Sequence, residues 1–129
     1  MIINGKEIGF ELTIQSIDNI SKMCPDGEYA KLAELYKGNT TAEKYRIDFK
    51  IAKVLNEAHE SHNAFNALKN GNNNYKKVLL TDDDLEYMNL SELNVMEEEI
   101  MQAMETGKST SVEAQPIKSS GKKASAVNK

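Results

Sequence analysis

Two apolar residues, Ile2 and Ile3, precede an Asn-Gly pair at positions 4 and 5, and an alternating apolar and polar pattern begins at Ile8. After this pair, every second residue is apolar: Ile8, Phe10, Leu12 and Ile14. Asn-Gly favours the positive φ angles of a two-residue type I′ turn, so the pattern predicts a β-hairpin with one apolar face. Because a lone hairpin is marginally stable in water, helices are expected to cover that face.

Helical spacing of apolar residues then predicts two short helices. Ser16 is expected to cap the first, which runs to about Met23 and is broken by the sequence Cys24-Pro25-Asp26-Gly27. The second starts near Tyr29 and ends before Gly38, which suits a left-handed residue at the end of a helix.

The longest predicted element is a helix over residues 41–69. Thr40 and Glu43 have the spacing of a capping box at its start, and Asn70-Gly71 followed by three asparagines ends it in a loop. Seven apolar residues fall on one wide stripe of this helix: Ile47, Ile51, Val54, Leu55, Ala58, Phe65 and Leu68.

Two acidic helices are expected in the C-terminal third, after a segment 75–80 that the pattern leaves open between strand and extended connector. Thr81 is expected to cap the first, and Ser91 to cap the second, which Gly107 closes. One side of the second helix is apolar: Leu93, Met96, Ile100, Ala103 and Met104.

The length of 129 residues, with 40% hydrophobic and 28% charged residues, fits one small globular domain. We expect this domain to span residues 1–106. Residues 107–129 are rich in Ser and Lys and poor in large apolar side chains, which predicts a disordered tail. The predicted fold class is α+β but mainly α, with an N-terminal β-hairpin packed on four to five helices.

Charge is unevenly distributed around a net value of −4. Residues 82–105 carry nine acidic and no basic side chains, whereas residues 107–129 carry five Lys and one Glu. The predicted body has no basic patch, which argues against nucleic-acid binding. No signal peptide or membrane segment is evident, and a single cysteine excludes an intramolecular disulfide, so we expect a cytoplasmic protein that does not bind membranes.

No motif assembles a convincing catalytic, cofactor or metal site. Thr106 to Thr110 contains the end of a phosphate-binding loop without its first glycine, and the acidic run from Asp82 lacks the glycine and final Glu of a calcium loop. His59 and His62 are three residues apart instead of four, so a small metal-dependent enzyme using this pair stays a minor alternative.

Methionines beside the acidic run Glu97-Glu98-Glu99 suggest a surface for a partner protein. Flexible methionines recur on surfaces that accept varied apolar partners, although the same spacing also suits a core. The expected partner-binding residues are Leu93, Met96, Ile100, Met101 and Met104. Asp in place of Met96 and Met104 is expected to abolish binding without unfolding the body, whereas collapse of the fold would identify them as core.

Several short motifs together resemble those of tail assembly chaperones encoded by long-tailed phages and prophages of Gram-positive bacteria. These proteins often open with an INGKEY-F hairpin, which the stretch from Ile2 to Thr13 resembles. Further similarity lies in Cys24-Pro25-Asp26-Gly27, in the acidic helix start at 80–85, and in a Lys/Ser-rich end containing Thr110 to Ala114.

The resemblance implies a non-enzymatic protein without a cofactor. It would bind the phage tape-measure protein, keep it soluble and recruit tail-tube subunits in the host cytoplasm, and it would be absent from the mature virion. It also implies possible self-association and a longer frameshifted form, for which codons at Gly121-Lys122-Lys123 are candidates. The basic segment 107–129 is expected to meet an acidic client surface or to bind back onto 82–105. The main alternative is a structural tail or adaptor subunit retained in the particle.

Overall fold

The computed structural model describes residues 1–106 and shows a mainly helical protein with a small N-terminal antiparallel strand pair. The predicted fold class is therefore confirmed, while the predicted tail and Gly107 lie outside the described residues. The elements in chain order are β1 (Ile2–Ile3), β2 (Lys6–Glu7), α1 (Ile14–Ser21), a 3₁₀ turn (Pro25–Gly27), a 3₁₀ helix (Tyr29–Tyr36), α2 (Thr41–Lys69), α3 (Asp82–Glu86) and α4 (Leu90–Thr106).

The hairpin forms as predicted but is shorter. Ile2 pairs with Glu7, and the φ angles of Asn4 (49°) and Gly5 (81°) are both positive, as a type I′ turn requires. Beyond Glu7 the pairing continues only at Ile8, whose amide donates to the Met1 carbonyl (2.8 Å) and whose carbonyl accepts from the Met1 ammonium (3.0 Å). Residues 8–13 instead run extended against α2, where the Glu11 amide donates to the Leu55 carbonyl over 3.1 Å.

Helix α1 begins two residues before the predicted cap. The Thr13 hydroxyl accepts a hydrogen bond from the Ser16 amide (3.3 Å), and the Ser16 hydroxyl accepts one from the Thr13 amide (2.7 Å). Thr13 is therefore the cap, and Ser16 is its partner inside the first turn, so the prediction of Ser16 as cap was wrong. Ile14 consequently starts a helix and is 81% exposed, instead of ending an apolar strand face.

The second predicted helix is a 3₁₀ helix, and the longest helix has the predicted limits. Gly38 has a φ angle of 77°, as expected for a left-handed residue after a helix. Thr40 and Glu43 exchange hydrogen bonds at the start of α2. The apolar stripe does not extend to its end, because Phe65 and Leu68 are 58% and 60% exposed and none of residues 61–69 is buried.

Residues 72–80 return along α2 as an extended connector and not as a strand. Asn56 of α2 donates through Nδ2 to the carbonyls of Gly9 (3.3 Å) and Val78 (3.1 Å), and its Oδ1 accepts from the Leu80 amide (2.9 Å). One buried side chain therefore fastens both extended segments, 8–13 and 72–80, to the longest helix.

Asp84 in α3 anchors the hairpin turn. Its carboxylate accepts hydrogen bonds from Lys6 Nζ (2.6 Å) and Asn4 Nδ2 (3.2 Å), and from the backbone amide of Thr81 (2.7 Å). Burial alone would raise the pKa of Asp84, but hydrogen bonds from Lys6, Thr81 and Asn4 lower it to about 2. The acidic start of α3 therefore both caps this helix and holds the hairpin turn against it.

Helix α4 completes the core. Asn89 and Glu92 exchange hydrogen bonds of 3.0 and 2.8 Å at its start, so Asn89 is the cap and the prediction of Ser91 was wrong. None of the helices within residues 1–106 is long and apolar enough to cross a membrane. The core draws on both extended segments, the hairpin and all the long helices: Ile3, Ile8, Phe10, Ile20, Cys24, Phe49, Ile51, Ala52, Leu55, Leu80, Met88, Met96, Ile100 and Ala103.

Candidate functional site

A groove of about 390 Å³ opens between the 3₁₀ helix, α2 and the last turns of α4. Its α4 wall follows helical spacing, because positions three, four and seven apart lie on one face of a helix. The 3₁₀ helix and α2 supply the opposite walls. The lining residues are Leu32, Tyr36, Asp48, Ile51, Glu97, Ile100, Met101 and Met104.

The groove combines apolar walls with a pair of acidic side chains. Asp48 is buried on α2, and Glu97 reaches it from α4. The Tyr36 hydroxyl donates a hydrogen bond of 2.6 Å to Asp48 Oδ1, which fixes that carboxylate. Within residues 1–106, no Lys, Arg or His side chain forms an ion pair with Asp48 or Glu97. The two carboxyl groups in the groove therefore have no basic partner from the described part of the chain.

Glu97 keeps its proton to a higher pH than an ordinary glutamate because its pKa is raised. A hydrogen bond with Asp48, burial and the charge of Asp48 raise the pKa of Glu97 to about 7. Burial, the hydrogen bond donated to Asp48 and the nearby carboxylates also raise the pKa of Tyr36. The groove thus carries less negative charge at neutral pH than its two carboxyl groups suggest, and an arriving cation would favour the fully ionised pair.

The five residues predicted to bind a partner divide between core and surface. Met96 is fully buried and Ile100 is nearly so, and both belong to the core. Met101 is 59% exposed, and Leu93 and Met104 are partly buried. The groove brings together Ile100, Met101 and Met104, so a partner can reach Met101 directly, whereas Met96 becomes accessible only if α4 moves. Binding by these residues stays a prediction.

Sequence reasoning missed the wall opposite α4. Leu32, Tyr36 and Asp48 come from elements more than forty residues earlier in the chain, so spacing along α4 gives no sign of them. The sequence did contain one sign of Asp48. It lies three residues before Ile51, on the apolar stripe side of α2, and a charged side chain is rarely buried there unless it has a partner.

The three consecutive glutamates of α4, Glu97 to Glu99, lie in three different surroundings. Glu97 lines the groove and Glu98 is exposed. Glu99 is partly buried, with Oε1 3.6 Å from the N-terminal ammonium of Met1. Of the three, only Glu98 is therefore exposed, and the other two contact the folded body.

The two histidines lie on a second polar cluster, around Glu11 of the extended segment. His59 Nδ1 is 3.2 Å from Glu11 Oε1, and His62 Nδ1 is 2.7 Å from Glu11 Oε2. Nearby, Glu60 accepts hydrogen bonds from the Tyr75 hydroxyl (2.7 Å) and the Val78 amide (2.9 Å). These hydrogen bonds hold segments 8–13 and 72–80 against α2, next to the contacts of Asn56.

Three candidate sites from the sequence remain to be placed: the metal site, the cysteine nucleophile and the phosphate-binding loop. Within residues 1–106, no group of three or more His, Cys, Asp or Glu side chains is arranged to hold a metal ion. Cys24 is buried, its thiol donates to the Ile20 carbonyl over 3.3 Å, and burial raises its pKa. The remnant of a phosphate-binding loop beyond Thr106 lies outside the described residues.

Comparison of the chain with protein-family models, with curated proteins and with solved structures gave no match.

Proposed function

We propose that this protein is a tail assembly chaperone of a long-tailed phage or prophage, which binds the tape-measure protein in the host cytoplasm and recruits tail-tube subunits. The proposal starts from the sequence resemblance and is supported by the groove at the end of α4. That groove is the single structural feature on which it depends, because a chaperone of this kind needs an accessible apolar surface and no catalytic centre.

The walls of the groove suit an apolar side chain from a client helix. Met101 is exposed at its rim, and the thioether side chains of Met101 and Met104 adapt to different apolar shapes. The acidic pair in the groove adds a preference for an apolar side chain that has a Lys or Arg nearby. The other acidic side chains of α4, including the exposed Glu98, keep a chaperone–client complex soluble through their negative charge.

The proposal is tested by expressing the chain together with the tape-measure protein of the same genome. We expect tape-measure protein to stay soluble and to co-purify, and to precipitate when the chain is omitted. Met101→Asp places a charge on the groove rim and is expected to weaken client capture about tenfold or more, since an unpaired charge in an apolar contact costs more than about 1.4 kcal/mol.

Val95→Asp provides the matched control. Val95 is also on α4 and also exposed, but it lies on a different face, beside Leu90 and Ser91. This variant is expected to capture the client normally. Equal loss in both variants, or unchanged solubility of the tape-measure protein without the chain, would contradict the proposal.

A structural tail or adaptor subunit is the second candidate, and the end of α2 favours it. Phe65 and Leu68 are exposed there, with Lys69 Nζ 5.1 Å from the centre of the Phe65 ring. Such an exposed apolar pair at the end of a helix suits permanent packing against a neighbouring subunit. Mass spectrometry of purified particles separates the two candidates: we expect the chain in infected cells and not in particles, and its stoichiometric presence in particles would favour the structural subunit.

A further inference from the structure

The groove beside α4 also lies within reach of the chain's own C-terminal segment, residues 107–129. We propose that Ile117 of this segment occupies the groove in the same molecule, with Lys118 paired to the acidic groups of Asp48 and Glu97. The inference does not depend on the identity of any client. It follows from three observations: the position at which α4 ends, the charge of the groove, and the order of residues after Thr106.

The first observation concerns distance. Glu97, at the far end of the groove, lies nine residues before Thr106 on α4, which corresponds to roughly 14 Å along the helix. Ile117 lies eleven residues after Thr106, and eleven residues span up to about 36 Å when extended. The segment can therefore reverse direction after the helix and still reach any part of the groove, and Gly107 is suited to such a reversal.

The second observation is charge complementarity. Residues 82–105 carry nine acidic and no basic side chains, and residues 107–129 carry five Lys and one Glu. The acidic pair in the groove has no cationic partner within residues 1–106. A lysine entering the groove would supply one, and its charge would favour ionisation of Glu97.

The third observation selects the segment. Residues 107–129 contain three large aliphatic side chains: Val112, Ile117 and Val127. Val112 is followed by Glu113, whose charge would be repelled by the acidic pair. Ile117 is the largest of the three and is followed directly by Lys118, whose long flexible side chain lets its ammonium reach the acidic pair while Ile117 enters the groove. Val127 is smaller than Ile117 and lies ten residues farther along the chain, so a longer loop would have to close for it to enter the groove.

Tethering makes a weak contact sufficient. A segment joined covalently to its site over a short stretch of chain experiences an effective concentration of the order of 1 mM. An intrinsic dissociation constant near 1 mM therefore gives about half occupancy, without the large surface that an independent partner needs. The client would then have to displace Ile117, so the segment would act as a competitor that leaves the groove when a tighter ligand arrives.

The test uses the full chain with ¹³C-labelled Ile, Val and Met methyl groups in NMR. We expect nuclear Overhauser cross-peaks between the Ile117 methyl and the methyls of Met101 or Met104, unchanged on dilution. Ile117→Ser is expected to abolish them and to move the Met101 and Met104 signals, whereas the matched variant Val112→Ser leaves those two signals in place. The buried Met96 methyl reports in each variant that the fold is intact.

Absence of these cross-peaks, with Met101 and Met104 signals that do not respond to Ile117→Ser, would overturn the proposal. So would cross-peaks that appear only between differently labelled molecules, because a second copy would then occupy the groove. An equal response to Val112→Ser would show that the segment binds without the proposed register and would also overturn it. Co-purification of the tape-measure protein is a separate readout, so failure of the proposed function is distinguishable from failure of this inference.

Discussion

Two acidic side chains from the same acidic stretch have opposite roles because of what surrounds them. Asp84 is held ionised by donors from Lys6, Asn4 and Thr81, and its pKa falls to about 2. Glu97 faces another acid, Asp48, and its pKa rises to about 7. A count of nine negative charges over residues 82–105 therefore overstates the charge that the groove presents at neutral pH. At the scale of single residues, the partner of a carboxyl group decides its charge.

Asp84→Asn is expected to lower the free energy of unfolding at pH 7 by about 2 to 3 kcal/mol, because a buried, charge-assisted contact between the hairpin and α3 is lost. The pKa of Asp84 is lowered from 3.8 to about 2, so its contribution to stability is complete above about pH 4 and is lost as the pH falls towards 2. Between about pH 4 and pH 2, the free energy of unfolding should therefore fall less in the variant than in the natural chain. Urea denaturation at several pH values measures this.

Asp83→Asn is the matched control, because Asp83 is exposed in the same first turn of α3. It is expected to change stability by less than about 0.5 kcal/mol. An acid profile of the Asp84→Asn protein identical to that of the natural chain would contradict the assignment of this stability to Asp84.

At the scale of elements, the sequence predicted what depends on neighbours along the chain. The capping box of Thr40 and Glu43 and the Asn-Gly turn are local, and both formed as expected. The cap of α1 was misplaced because Thr13 and Ser16 are both suitable caps, and only their reciprocal hydrogen bonds show which is first. The courses of segments 8–13 and 72–80 depend on contacts with α2, which no local pattern encodes.

The candidate site shows the same division. Spacing along α4 correctly placed several apolar residues on one side, but it could not show which of them the rest of the body covers. Met96 faces the core, whereas Met101, five positions later, lies at the groove rim. Tyr36 and Asp48 complete the groove from other elements, so the acidic pair exists only in the folded chain.

Asn56→Leu is expected to weaken the attachment of both extended segments to α2. The change leaves the Leu80 amide and the carbonyls of Gly9 and Val78 without their present partner, and an unsatisfied buried polar group costs about 1 to 3 kcal/mol. We expect a loss of stability in this range or above, with faster amide hydrogen exchange at Leu80.

Asn66→Ala on the same helix is the control, because Asn66 lies beyond the buried part of α2. Its exchange rates at Leu80 should match those of the natural chain. Unaltered exchange at Leu80 in Asn56→Leu would mean that the return segment is held by other contacts, such as those to Glu60.

At the scale of the whole molecule, α4 has two functions that share residues. Its inner side closes the core, where Met96 and Ala103 are fully buried, and its last turns form one wall of the groove. Ile100 belongs to both. Because interiors are close-packed, a change in the core shifts the position of α4 and with it the width of the groove. A binding test that substitutes a core residue would therefore confuse loss of fold with loss of contact.

Met96→Ala tests this division directly, with Met101→Ala as its control. Removal of a fully buried Met side chain leaves a cavity and is expected to cost about 2 to 5 kcal/mol, whereas truncation of the exposed Met101 should cost less than about 0.5 kcal/mol. Far-UV circular dichroism and the fluorescence of the five tyrosines should report one coincident unfolding transition in each variant, since the core joins the hairpin, both extended segments and α4. If Met96→Ala lowers the free energy of unfolding by less than about 1 kcal/mol, α4 is only loosely attached to the core. Met96 would then be accessible to a binding partner. The expected large loss instead confines binding tests to Met101 and the groove rim, because Asp at Met96 would unfold the protein that the test requires.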